Sequence, residues 1–252
     1  MTYDQIPAVR RSDLWEIRKS PAHYLYAVTH PKEPTPALLF GTAAHKYILE
    51  PDDFWNDFIL APNVGRRTKT GKETWALFLE EAEGKTAISE SDLQTIKEMD
   101  MAIMNNPTAK ALLKTGTHET PIEWKDGQTG EECKCRPDCI TDYKGRQYIV
   151  DYKTTTSCED GAFERSCRKY GYKLQAGMYT EGVFNKLLNG DLGFAFVAQE
   201  KTPPYAVRVY FCDDGFVEEG VDLFRELIEI YHNCKESGEW PGYEDKELYG
   251  DE

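Results

Sequence analysis

The chain has 252 residues, 40% of them hydrophobic, and a formal net charge of −14. That length and apolar content suit one domain over 1–252 with a sizeable core, and no run of about 18 apolar residues is present to cross a membrane as a helix. Residues 1–11 lack the apolar centre of a signal peptide, and seven cysteines without even spacing fit reduced thiols in a cytoplasmic protein.

Residues 1–37 read as a helical lead-in. A helix over 12–28 is entered at Ser12-Asp13 and broken at Ser20-Pro21, and a linker covers 31–36. A helix over 42–49 follows, opened by Gly41-Thr42 and closed by Glu50-Pro51, with His45 one turn before Leu49. Amphipathic helices are predicted over 70–83 and 90–105, the second capped by Ser89 or Ser91 and ended before Pro107. Three consecutive strands are expected over 120–125, 131–140 and 147–154. A helix over 170–188, strands over 193–199 and 206–212, and a closing helix over 217–235 complete the chain. This order gives an α/β fold whose core spans 38–212. Residues 213–252 form an acidic helix and tail, with fourteen acidic residues against three basic ones, so the rest of the chain is near −3. Basic residues gather at Arg10, Arg11, Arg18 and Lys19, at 66–72, and at Arg165, Arg168, Lys169 and Lys173. That distribution fits a basic channel under an acidic exterior, or an acidic tail that only confers solubility.

The chemistry concentrates in Arg136-Pro137-Asp138 and Asp151-Tyr152-Lys153. Asp142-Tyr143-Lys144-Gly145-Arg146 supplies turn residues between the two strands. A tight hairpin with its tip at Lys144-Gly145 sets Asp138 opposite Asp151. Alternate strand residues share a face, so Asp151 and Lys153 project together. Two close carboxylates repel unless a cation lies between them, and oxygen ligands select Mg²⁺ or Mn²⁺. Such an ion polarises a phosphoryl oxygen and acidifies water, and an adjacent lysine offsets developing charge. The plainer reading is a surface hairpin with a cross-strand salt bridge.

Three further segments bear on this choice. His45 is either a packed helical histidine or a nitrogen ligand. Gln175 and Tyr179 lie four apart on one helix face, as ordinary surface or as a brace for a phosphate and the attacking water. Arg66, Arg67, Lys69 and Lys72 form a basic, Gly-containing run, a solvated loop or a DNA-gripping one. Glu50 and Glu123 are candidates for a supporting role. Alternation places Cys133, Cys135 and Cys139 on one strand face, as buried thiols rather than a tetrahedral metal site.

In this order the segments resemble the PD-(D/E)XK nuclease superfamily, and more closely the exonuclease VIII (RecE) family of phage and prophage recombination nucleases. The likeness covers about 38–241. It rests on Gly-Thr-Ala-x-His at 41–45, Arg-Arg-Thr with Gly-Lys-Glu at 66–73, Cys-Arg-Pro-Asp at 135–138, Asp-x-Lys-Thr-Thr at 151–155, Gln175 with Tyr179, and Glu239-Trp240-Pro241. The resemblance implies a restriction-endonuclease-like αβββαβ core with a mixed central sheet flanked by helices. It implies an Mg²⁺-dependent 5′→3′ exonuclease acting on double-stranded DNA ends, with Mn²⁺ as a substitute. It also implies His45, Asp138 and Asp151 as side-chain metal ligands, the Tyr152 carbonyl as a backbone ligand, and Lys153 as the catalytic lysine, with Gln175 beside it. A ring-shaped homotetramer and a RecT-like single-strand annealing partner come with the same resemblance. Iron–sulfur relatives of the Cas4 type carry a cysteine before the histidine segment, which this chain lacks, so no iron–sulfur cluster is expected. The rival functions are an endonuclease or single-strand nuclease on the same core, and a DNA-binding module without catalysis.

Overall fold

Hydroxyl caps and prolines set the N-terminal helices. The computed structural model describes residues 3–65, 67–187 and 191–246. α1 (Arg11–Ile17) starts where the Asp13 carboxylate accepts the Arg10 N–H at 3.1 Å. α2 (Pro21–Thr29) starts at Ser20, whose hydroxyl accepts the His23 N–H, with Pro21 in the first turn where no N–H is needed. Thr35 and Pro36 repeat this device and open α3 (Pro36–Leu49). The helix therefore begins at Pro36 rather than at 42, and Gly41-Thr42 lie within it. α4 (Phe54–Asp57), β1 (Phe58–Leu60), α5 (Lys69–Glu81) and β2 (Thr86–Ile88) follow, with β1 and β2 paired in parallel. α6 (Glu90–Asn105) is capped by Ser89, and α7 (Pro107–Leu113) by Asn106.

The strands depart from expectation at one proline. β3 (Thr117–His118) and β4 (Ile122–Lys125) lead to β5 (Glu132–Cys135) and β6 (Cys139–Tyr143). The single strand expected over 131–140 is thus two, because Pro137 has no N–H to continue a ladder. β4 and β5 form their own antiparallel ribbon, which Val9 extends through bonds to Glu132 and Lys134, each 2.8 Å. The strand expected over 120–125 therefore lies outside the central sheet. The break also separates the cysteines: Cys133 and Cys135 enter one core and Cys139 the other, so the three do not share a face.

β6 turns into β7 (Arg146–Thr155) through Lys144 and Gly145, with φ of 51° and 84°. Positive φ at both central residues is the hairpin turn whose twist matches the strands. Its register pairs Tyr143 with Arg146 and Cys139 with Val150, so Asp138, one residue before β6, faces Asp151. α9 (Tyr172–Leu187) is the helix expected over 170–188, and an unpredicted α8 (Asp160–Tyr170) precedes it, separated from it by Gly171 at φ 70°. β8 (Leu192–Glu200), β9 (Val207–Cys212) and α10 (Asp214–Ser237) complete the described chain.

The central sheet has the order β3-β6-β7-β8-β9, with β7 and β8 parallel and the other pairs antiparallel. It is the mixed, helix-flanked sheet that the resemblance implies. Strand alternation divides the core into two layers. Ile149, Phe194, Phe196 and Ala198 pack with α1, α8, α9 and α10, and Val150, Tyr152, Ala195 and Val197 pack with α3, α6 and α7. Burying each Phe contributes about 1.5–3 kcal/mol. No helix among the described residues is long and apolar enough to cross a membrane.

Candidate active site

Both helical layers deliver side chains to one end of β7. Asp151 belongs to the face that packs on α9, and Gln175 of α9 donates its Nε2 hydrogen to Asp151 Oδ2. Lys153, two residues along the same face, pairs with the other Asp151 oxygen. From the opposite layer, α3 brings His45, whose Nε2 lies 2.7 Å from Asp138 Oδ2. The same Asp138 oxygen accepts the Tyr152 N–H at 2.6 Å. A strand residue directs its N–H and C=O toward the same neighbour, so the Tyr152 carbonyl points to the Asp138 side, past the end of the β6 ladder.

A third carboxylate joins them. Glu119, held at φ 49°, places Oε1 3.3 Å from His45 Nδ1 and Oε2 2.8 Å from Arg136 Nε. Donor atoms of His45, Glu119 and Asp138 all lie within 4.8 Å of one another. A cleft of about 540 Å³ opens on the group, lined by His45, Glu119, Arg136, Tyr152, Lys153 and Thr154. A larger groove of about 770 Å³ runs along α1 and α2 but contains none of these groups. Asp138 and Asp151 are 7% and 1% exposed. That burial rules out the surface hairpin with a solvated salt bridge.

Burial drives the electrostatics. It pushes the Asp151 carboxyl up to about 6, helped by the charge of Asp138 and opposed by Lys153. Burial and then Asp138 raise Glu119 to about 7, against His45 and Arg136. Burial also acts upward on Asp138, but His45, Lys153 and the Tyr152 N–H hold it below the usual carboxylate range. Burial would lower His45, yet Asp138, Glu119 and Asp151 outweigh it and raise the imidazole. One carboxylate is thus kept ionised while its neighbours hold on to protons, the pattern of a functional cluster.

These residues fit a hard divalent cation. Gln175 Oε1 is buried without a hydrogen bond among the described residues, and Glu119 Oε1 has only the His45 ion pair, an arrangement that a cation or water relieves. The donors are carboxylates, one imidazole and a strand carbonyl, the chemistry of Mg²⁺ or Mn²⁺ rather than of a thiolate-bound metal. The cysteines nearest in sequence are buried and hold their protons: burial raises Cys133 and Cys139 to about 12, and Cys135 further.

The remaining predicted residues are placed as follows. Gln175 lies in the site, whereas Tyr179 is half-buried against the α9 core, its phenol raised by burial and by Asp151. Arg67, Lys69 and Lys72 are exposed around the start of α5 and do not line the cleft. Arg66 lies outside the described residues. Glu50 lines the cleft, paired with Lys46 at 2.9 Å, while Glu123 sits on the β4 ribbon away from it. Sequence reasoning missed Glu119 and Arg136. The only signal for Glu119 is a carboxylate just beyond a two-residue strand. Arg136 stands inside the quoted Arg-Pro-Asp run.

Among solved structures, a candidate exonuclease from Eubacterium rectale matches with a TM-score of 0.64 at 14% identity, over 95% of this chain and 88% of that one. At that identity the likeness shows a shared fold. A structure of a protein named SSO0001 covers 86% of this chain and 84% of its own at 15% identity, but its TM-score of 0.33 carries no argument. No curated protein matches. The family described as PDDEXK-like domain of unknown function (DUF3799) matches residues 11–249. Because that match spans nearly the whole chain, the protein belongs to this family of PDDEXK-like domains, within the PD-(D/E)XK nuclease superfamily.

Proposed function

We propose that this protein is an Mg²⁺-dependent exonuclease that digests linear double-stranded DNA 5′→3′ and leaves 3′ single-stranded ends for recombination by annealing. The observation that carries the reading is that ligand atoms of Glu119, Asp138 and His45 lie within 4.8 Å of one another next to Asp151, which both Lys153 and Gln175 contact. Asp138, Asp151, Glu119, His45 and the Tyr152 carbonyl would hold the cation. When bound, Mg²⁺ or Mn²⁺ supplies Lewis acidity at a phosphoryl oxygen and makes water easier to deprotonate.

The chain's own groups do the rest. Lys153 presents an ammonium at the cleft wall, where it steadies charge developing on the phosphate and orients the incoming water for in-line attack. Gln175 fixes the Asp151 carboxylate and thereby the position of Lys153. Arg136 neutralises Glu119 on the side away from His45. The 3′ oxygen is the leaving group. Arg66, Arg67, Lys69 and Lys72 would grip the duplex beyond the cleft, with Tyr179 as a more distant support. A ring-shaped homotetramer would keep the enzyme on its substrate between cuts, and a RecT-like annealing protein would take up the exposed strand. These last features rest on the family resemblance.

An end-labelled linear duplex tests the reading. Digestion with Mg²⁺ that releases a 5′ label first, stops in EDTA and spares a closed circle is expected. Cleavage of the closed circle would make the protein an endonuclease instead, and DNA binding without any hydrolysis would leave only a binding module.

A further inference from the structure

An aromatic and cationic path leaves the site on the α8–α9 side. Lys153 Nζ lies 4.9 Å from the ring centroid of Tyr172, a buried residue at the start of α9. The Tyr172 ring stacks on Tyr170 at 6.0 Å and 28°. Tyr170 ends α8 and is 47% exposed, with Lys169 Nζ 5.1 Å above its ring. α1 closes the path from the other side. Arg11 donates to the Tyr170 carbonyl at 3.0 Å. Trp15 lies against Gly171, where an added Cβ would come 2.4 Å from the indole, and the Arg18 guanidinium stacks 4.8 Å over that indole.

Five cations gather around this path. Arg11, Arg18, Arg165, Arg168 and Lys169 form no ion pair among the described residues, although the chain carries 44 acidic side chains against 30 lysines and arginines. Arg165, Arg168 and Lys169 are exposed along α8 toward Tyr170. Cations clustered beside an exposed ring match a single nucleic-acid strand: phosphates take the charges and bases stack on the ring and on the guanidinium plane. A duplex keeps its bases in its own stack and has no use for the ring. We infer that Tyr170, flanked by Lys169, Arg168 and Arg18, is a stacking platform for an unpaired stretch of DNA strand continuing from the phosphate held at Lys153. The inference rests on the nuclease reading for the identity of the strand, while its test reads binding alone.

Fluorescence anisotropy in EDTA, with a labelled oligodeoxythymidylate, a tailed duplex and a blunt duplex, separates the possibilities. Tyr170→Ala should weaken the oligonucleotide and the tailed duplex by roughly tenfold, with Tyr170→Phe restoring both and blunt-duplex binding unchanged. Arg168→Gln with Lys169→Gln, both exposed, should lower the salt slope of oligonucleotide binding by about 0.7 for each charge removed. Wild-type affinity of Tyr170→Ala for all three probes, or equal loss for blunt and tailed duplexes, would overturn the platform even if the enzyme hydrolyses DNA. Tyr170-dependent strand binding without hydrolysis would instead uphold the platform and remove the nuclease reading.

Discussion

The Tyr152 N–H and the Asp138 carboxylate meet at 2.6 Å across the hairpin, and the same carboxylate oxygen lies 2.7 Å from His45. One side chain thus closes the end of the sheet ladder and anchors the α3 layer to it. The two roles separate by mutation. Asp138→Ala leaves a buried N–H without a partner and should cost about 1–3 kcal/mol of folding stability. Asp138→Asn keeps an acceptor oxygen and should cost less, yet lower divalent-cation affinity to a similar extent as the alanine variant. Urea unfolding and Mg²⁺ titration of both variants check the ordering.

The raised carboxyls predict a pH dependence of definite sign. Glu119 and Asp151 hold protons in the folded protein to about 7 and about 6, from ordinary values of 4.5 and 3.8. The folded state then binds more protons than the unfolded chain, so their contribution to stability falls as pH rises through that window. His45, also raised, acts in the same direction: its contribution is full below pH 6.5 and is lost above. Asp138, lowered, acts oppositely, and its contribution is lost only as pH falls below 3.8. In EDTA, wild-type stability should therefore decline relative to Glu119→Gln between pH 4.5 and about 7. Cation binding should release protons across this range, seen as a buffer-dependent heat in calorimetry.

Gln175 and Lys153 share Asp151 but not a function. Lys153→Ala should reduce hydrolysis by about 10²–10³-fold with DNA affinity in EDTA unchanged. Gln175→Ala should reduce it by about 10–100-fold through a misplaced Asp151. Single-turnover rates on a labelled duplex distinguish the two. Near wild-type turnover by the lysine variant would refute its assignment.

The helix that carries Gln175 is set by glycines. A Cβ on Gly177 would lie 2.0 Å from the Gly220 backbone, so α9 and α10 approach as closely as backbone permits. Gly177→Ala should cost about 1–3 kcal/mol and, by tilting α9, reduce turnover as well. Thermal unfolding and rate measured together test both parts.

How much of this was legible in the sequence depended on how local the signal was. The Lys144-Gly145 hairpin could be read because a two-residue turn fixes its own register, and that register placed Asp138 opposite Asp151. The cap at Ser89 could be read for the same reason. The division of 131–140 was not foreseen, since alternation continues in composition on both sides of Pro137. α8 was not foreseen, since its N-cap Glu159 makes no side-chain capping hydrogen bond to announce it, whereas the helix expected over 170–188 is α9, set off from α8 by Gly171 in the left-handed region. Glu119 was out of reach: it sits in the turn after β3, a strand too short for periodicity, and only the tertiary fold carries it to His45.

The central claim is that His45, Glu119, Asp138 and Asp151 hold a divalent cation beside Lys153. Anomalous diffraction from crystals soaked in Mn²⁺ tests it most directly. A single strong peak bounded by the Asp138, Glu119 and His45 side chains, lost in Asp138→Ala crystals, is the predicted result. A fully occupied Mn²⁺ elsewhere on the molecule, with these side chains unchanged and no peak between them, would contradict it.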